Sequence, residues 1–193
     1  VSNKMRTFLT MLGIVIGVAA VISMLSIGEG ASASITSSIE SMGTNVIYVF
    51  RDNSVANSQA LTISDANALS EIKSNNFSAV APLVSDNREV SFSGNSITAQ
   101  IYGITPEYAT VRNENVNYGS FITETQVENR STVAVIGVDI ADELYGTTSN
   151  IIGNKIRIGN YLYTVIGVLE SKGGTTLGSS DNQIFVPITT AQS

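Results

Sequence analysis

One stretch constrains this chain more than any other. Phe8 to Ile27, FLTMLGIVIGVAAVISMLSI, holds no charged residue. As helix, its roughly 20 residues rise about 30 Å, the thickness of a bilayer's hydrocarbon core. Lys4 and Arg6 precede the run and Glu29 follows it. Basic flanks favour the cytoplasmic side, which predicts an inside N-terminus and an outside location for everything after Glu29. A secretory signal peptide shares the basic start, but its apolar core is usually about 7–15 residues and ends in a small-residue cleavage site. Here Ala31, Ser32 and Ala33 mimic such a site only after Gly28, Glu29 and Gly30. A buried core helix is the other alternative, and a charge-free run of this length is rare in one.

The length of 193 residues suits one or two modest domains. Only 13% of residues are charged and 43% are hydrophobic, with much of the apolar excess before Gly28. Elsewhere polarity comes from Ser, Thr and Asn, a composition that suits an exported domain. The net charge is −6; with Lys4 and Arg6 set aside, 8 basic against 16 acidic residues leave the outer part at −8. Such a surface argues against nucleic-acid binding and against a polybasic grip on anionic lipid. The chain has no cysteine, hence no disulfide framework, and no histidine, the commonest metal ligand and general base. It begins at Val1, which suggests a piece of a longer protein.

The expected organisation is a cytoplasmic lead (1–7), a transmembrane helix (8–27), a stalk helix (28–43) and an outer domain (44–193). Gly13 and Gly17 form a GxxxG pair with Ala20 nearly continuing it, a candidate helix-packing face because small residues let membrane helices approach closely. Glycine is also simply common in membrane helices. Beyond the membrane, Ile27, Ala31, Ile35, Ile39 and Met42 recur at helical spacing, and Gly43 fits a C-terminal cap. This stalk stripe needs a partner, either the adjacent domain or a second copy of the helix.

The fold class expected is α+β: the N-terminal transmembrane helix continues into a stalk, and a mixed α/β domain of hairpins and short helices follows. Thr44–Phe50 is β-branched and aromatic and predicts a strand. Leu61–Ser74 predicts a helix with Thr62 as N-cap, Asp65 three residues on, and Ile63, Ala66, Leu69 and Ile72 on one face. Strand material from Phe77 to Phe92, with Pro82 at a bend, pairs through a Gly94-Asn95 turn with a strand over Ser96–Thr105, which Pro106 breaks. Gly119–Glu128 reads as a loop into a short helix. Thr132–Gly137 is apolar enough for a strand covered on both faces. Asp139–Tyr145 predicts a helix closed by Gly146. Lys155–Ile158 and Tyr161–Leu169 form a hairpin around Gly159-Asn160, Ser171–Asp181 a mobile loop, and Gln183–Ile188 a last strand. The pattern leaves open whether these pack as one core or two lobes.

Catalytic and cofactor motifs are lacking. There is no P-loop, no dinucleotide fingerprint around Gly167, Gly173 and Gly174, and no GxSxG serine. Asp139, Asp142 and Glu143 form the closest acidic cluster, but Asp139 suits a helix N-terminus better than a metal. Glu124 and Glu128, one turn apart, suit a solvated face better than acid–base work. The expectation is no catalytic, cofactor-binding or metal-ligating residue.

RTFLTMLGIVIGVAAVISMLSIGEGA followed by SMGTNVIYV resembles the start of permeases in the MacB/FtsX-like family of ABC transporters. VAPLVS, IYGITPEYATV, VAVIGVDIADELYG, IIGNKIRIGNYLYTVIGV and IFVPITTAQ are similar to that family's extracellular core, in the family's order. Where the family commonly has Gly-Arg before Phe-Thr, Gly119 is followed by Ser120. The resemblance implies a cell-membrane (cytoplasmic or inner) permease with four membrane helices and the outer domain, extracellular or periplasmic, between the first two. It implies that ATP and Mg are handled by an ABC ATPase subunit or domain rather than by this chain. It further implies pairing with a second permease copy, a possible membrane-fusion adaptor, and mechanotransmission: transfer of ATP-driven motion to the outer domain. Substrates in the family include macrolides, peptides and lipoproteins, and some relatives regulate cell-wall hydrolases. The alternatives are a membrane-anchored extracellular binding module without a transport role, and a tethered hydrolase, which the missing histidine and cysteine disfavour.

Overall fold

The computed structural model describes residues 4–41, 46–51, 54, 59–72, 77–172 and 180–192. The chain divides into two compact units, Val1–Ser41 and Met42–Ser193.

The first unit is one uninterrupted helix, α1 (Lys4–Ser41), 38 residues long. Its Lys4–Ala33 portion is long and apolar enough to cross a membrane, by length and composition. Its large side chains, among them Phe8, Ile14, Ile22 and Leu25, are exposed. The Thr10 hydroxyl is satisfied locally, donating to the carbonyls of Arg6 (3.0 Å) and Thr7 (2.9 Å). Such back-bonding is what an apolar environment requires of a hydroxyl. Met42 and Gly43, the end of the predicted stalk and its cap, lie outside the described residues.

The second unit is built on a sheet that closes on itself. β1 (Leu83–Phe92) and β2 (Asn95–Ile104) pair antiparallel along their whole length. β2 runs parallel to β7 (Gln183–Pro187), β7 antiparallel to β4 (Val133–Ile136), and β4 parallel to β6 (Tyr161–Leu169). β6 forms a hairpin with β5 (Lys155–Ile158), and β5 returns to β1 through Val90↔Ile158 and Ser91↔Arg157. β3 (Val116–Gly119) adds to β6 outside this ring. Closure removes most free edges. Where β1 has no further strand beside it among the described residues, the Asp86–Arg88 ion pair (2.7 Å) keeps it charged.

The apolar runs of β4 and β7 are explained by burial on both faces. Ala134, Ile136, Ile184 and Val186 point into one core cluster, together with Val90, Ile101, Ile156 and Val165. The helix α5 (Val138–Tyr145) closes that cluster with Ile140, Ala141 and Leu144. The intervening Val135 and Phe185 point the other way, into a second cluster with Ile104, Tyr108, Ile122, Leu169 and Ile188. α3 (Glu107–Val111), α4 (Glu124–Glu128) and α6 (Ile188–Ala191) contribute Tyr108, Val127 and Ile188 to it. Phe185 is the hub, with ring centroids of Tyr108, Tyr102 and Phe121 at 5.3, 6.0 and 6.0 Å. One sheet thus serves two cores, one on each face.

α2 (Ile63–Glu71) begins at Thr62 with the full capping box. The Thr62 N–H donates to Asp65 Oδ2 at 2.8 Å, and the Asp65 N–H donates to Thr62 Oγ1 at 3.3 Å. Of the expected face, Ile63 and Ala66 are half-buried, while Leu69 and Ile72 are exposed.

Several expectations are corrected. Val46–Phe50 is not a strand: it joins no ladder among the described residues, because strand-forming residues need a neighbour to pair with. Thr44 and Asn45 lie outside the described residues. The first hairpin turns at Ser93-Gly94, not Gly94-Asn95; both have positive φ (50° and 95°), as a two-residue turn of matching twist requires. β3 occupies a stretch that carried no strand expectation. Ile188 belongs to α6 rather than to the last strand. Within the expected Ser171–Asp181 loop, 173–179 lie outside the described residues, and the two ends are held together at Asp181.

Candidate functional site

On α1, Gly13 and Gly17 face open space: a Cβ placed at either would meet no atom within 4 Å. Ala20 follows one turn on and is exposed, as are Ala31 and Ile35 of the stalk stripe. Ile39 lies within α1, but its side chain, like Met42, is outside the described residues. Among its described side chains, the helix therefore presents small and apolar groups outward.

In the second unit, a group of polar contacts gathers where the chain passes between α3, β3 and β6. Glu114 is 7% exposed. Its Oε1 accepts an ion-pair contact from Lys172 Nζ at 2.9 Å, while Oε2 has no hydrogen-bond partner among the described residues. The same ammonium donates to the Arg112 carbonyl at 2.9 Å. Asp181, 2% exposed, accepts from the Ser171 hydroxyl and the Lys172 N–H, both at 3.1 Å. Removing two carboxylates from water is costly unless each finds donors, and these contacts supply at least one to each.

The Arg112 side chain turns from this base toward Tyr48. Arg112 Nη1 donates to the Tyr48 hydroxyl, and the guanidinium carbon lies 6.0 Å from the Tyr48 ring centroid. Burial raises the Tyr108 hydroxyl's pKa to about 12 and also raises that of Tyr102; the Arg112 charge opposes both shifts. Tyr48 meets the guanidinium directly, while Tyr102 and Tyr108 feel its charge. None of Tyr48, Arg112, Glu114, Lys172 or Asp181 stands out in the sequence. Arg112 and Lys172 are 60 positions apart, and no spacing signal links them.

The expected acidic candidates do not converge. Glu124, Glu128, Asp139, Asp142 and Glu143 do not meet in one site, and Glu124, Glu128, Asp142 and Glu143 are exposed. Among the described residues, no group of three metal-ligating side chains comes together. The Ser171–Asp181 pair lacks the imidazole that would activate a serine. The arrangement can anchor segments of the chain to one another.

Close backbone approach explains one glycine. At Gly119, φ is +83° and a Cβ would lie 2.1 Å from the Ile166 carbonyl oxygen. The next N–H, that of Ser120, donates to that oxygen at 2.9 Å. This close approach lies at the Gly119↔Gly167 end of the β3–β6 ladder.

A profile of the MacB-like periplasmic core domain family matches residues 7–193. Macrolide export ATP-binding/permease proteins MacB from Hyphomonas neptunium and Shewanella oneidensis are 36% and 35% identical, over 98% of this chain and 30% of their own length. The one from Acinetobacter baylyi is 34% identical over 100% of this chain and 30% of its length. The chain thus spans about a third of these relatives. Among solved structures, the periplasmic region of MacB from Actinobacillus actinomycetemcomitans matches with a TM-score of 0.62 at 26% identity, covering 79% of this chain and 69% of that one. The extracellular domain of the noncanonic ABC-type transporter YknZ from Gram-positive bacteria shares the fold, with a TM-score of 0.59 at 22% identity over 68% of this chain and 65% of that one.

Proposed function

Since the chain belongs to the MacB-like periplasmic core domain family, we propose that it is the first membrane helix and outer-domain portion of an ABC-type export permease that works by mechanotransmission. The N-terminus lies inside, the second unit outside, and ATP with Mg is hydrolysed on a cytoplasmic ATPase subunit or domain. Closure of that ATPase moves α1, and the movement reaches the outer domain. Two copies work together, their α1 helices approaching at Gly13, Gly17 and Ala20, and an adaptor protein is a further partner. The exported compounds are macrolide-, peptide- or lipoprotein-like; the macrolide arm takes its support from the names of the relatives.

The observation that carries this reading is the unbroken α1. At about 1.5 Å per residue, a helix of 38 residues is roughly 57 Å long, and a hydrocarbon core takes up about 30 Å of it. Roughly five turns are left to act as a stiff rod beyond the apolar span. A flexible tether would serve an anchored binding module equally well and would transmit no force.

The test uses the full-length transporter in vesicles, with erythromycin as probe. The chain has no cysteine of its own, so Ile35→Cys introduces a single site here for cross-linking two copies. Cross-linking is expected to stop ATP-driven erythromycin movement, and reduction to restore it. Undiminished movement with the helices locked would overturn the mechanical reading.

A further inference from the structure

Val46–Phe50 is the first described segment after α1, and packing does little to hold it. Ile47, Val49 and Phe50 are 76%, 63% and 80% exposed, and the segment pairs with no strand among the described residues. One side-chain hold on the second unit runs through Tyr48. The Tyr48 ring stacks on Phe50 with centroids 5.9 Å apart and planes 10° apart, and its hydroxyl and face both meet the Arg112 guanidinium.

Arg112 is itself firmly seated. Its N–H donates to the Tyr108 carbonyl at 2.9 Å, and its own carbonyl takes the Lys172 ammonium. Lys172 is paired with buried Glu114, and Tyr108 packs its ring edge-on to Phe185 at the centre of one core. A continuous set of contacts therefore runs from an exposed segment through one guanidinium to the sheet. Arginine suits this place because its planar fork can donate a hydrogen bond while its face lies against an aromatic ring.

We propose that Tyr48 and Arg112 are positioning residues: a clasp that fixes the segment following α1 to the strand ring, so that movement arriving along the helix enters the domain there. The role in transmission rests on the export reading above; the fixing of the segment does not.

The experiment uses the full-length transporter with spin labels at Val49→Cys and Glu143→Cys, both exposed positions. Without nucleotide, the parent protein should give a narrow distance distribution. Arg112→Gln and Tyr48→Ala should broaden it about twofold, with Tyr48→Phe, which keeps the ring, in between. In vesicles the same variants should lose roughly fivefold or more of ATP-driven erythromycin movement while hydrolysing ATP at nearly the parent rate. A role in folding alone would lower the melting temperature and leave movement per ATP unchanged. Unchanged distribution widths in both Arg112→Gln and Tyr48→Ala would overturn the clasp. A parent protein that moves no erythromycin and shows no ATP-dependent distance change would overturn the export reading instead, while the widths would still decide the clasp.

Discussion

Val46–Phe50 and Val133–Ile136 read almost alike, VIYVF and VAVI, and they end in opposite environments. β4 has β6 on one side and β7 on the other, with Ala134, Val135 and Ile136 fully buried between two cores. Val46–Phe50 has no strand beside it among the described residues, and four of its five side chains are exposed. β-branched and aromatic residues supply surface that can be buried; they do not supply the neighbour that buries it. Burial is therefore what separates the two regions energetically, and four measurements can break or sharpen that contrast.

The largest effect is expected at the hub. Phe185→Ala, at a fully buried ring contacting three aromatic neighbours, should cost about 3–5 kcal/mol in denaturant unfolding of the outer domain. A loss below about 1 kcal/mol would mean the second core is not packed as described. Next comes the buried ion pair. Lys172→Met strands the Glu114 carboxylate and should cost roughly 3 kcal/mol, whereas Lys172→Met with Glu114→Leu should recover most of that loss. Equal losses in the single and double variants would refute the pairing.

A smaller, pH-dependent effect is expected at α2. Hydrogen bonds from the Thr62 N–H and hydroxyl hold the Asp65 carboxyl below its ordinary value of 3.8. A depressed folded-state pKa gives stabilisation that is present above pH 3.8 and disappears as pH falls through the lower folded value. Thr62→Ala keeps the backbone N–H but loses the hydroxyl, and should reduce amide-exchange protection in α2 roughly fivefold at neutral pH, with the difference narrowing in acid as Asp65 is protonated. The smallest effect belongs to the exposed segment: Ile47→Ser should change stability by less than about 0.5 kcal/mol. A loss comparable to Phe185→Ala would show that Val46–Phe50 is buried in the intact protein and would erase the contrast.

Signals in the sequence are legible where the deciding interaction is itself local. The capping box of α2, the Gly159-Asn160 hairpin and the Gly146 stop of α5 involve residues within a turn of each other, and all appear as expected. The Ser93-Gly94 turn sits one residue before the expected one because Ser93 adopts a positive φ more usual for Gly or Asn. β3 is not legible because four polar-leaning residues, VNYG, become a strand only against β6. The Tyr48–Arg112 and Glu114–Lys172 contacts are invisible for the same reason, since charges far apart in sequence carry no mark of their partners.

What the sequence determined by itself is the charge-free run on α1, the absence of histidine and cysteine, and the apolar runs that make β4 and β7 two-faced. Each follows from residue type and short-range period. The closing of six strands into a ring, the two cores it separates, and the seating of Arg112 against Tyr48 were decided only by tertiary structure. Those depend on which distant segments meet, and a period of two or about 3.6 residues carries no information about that.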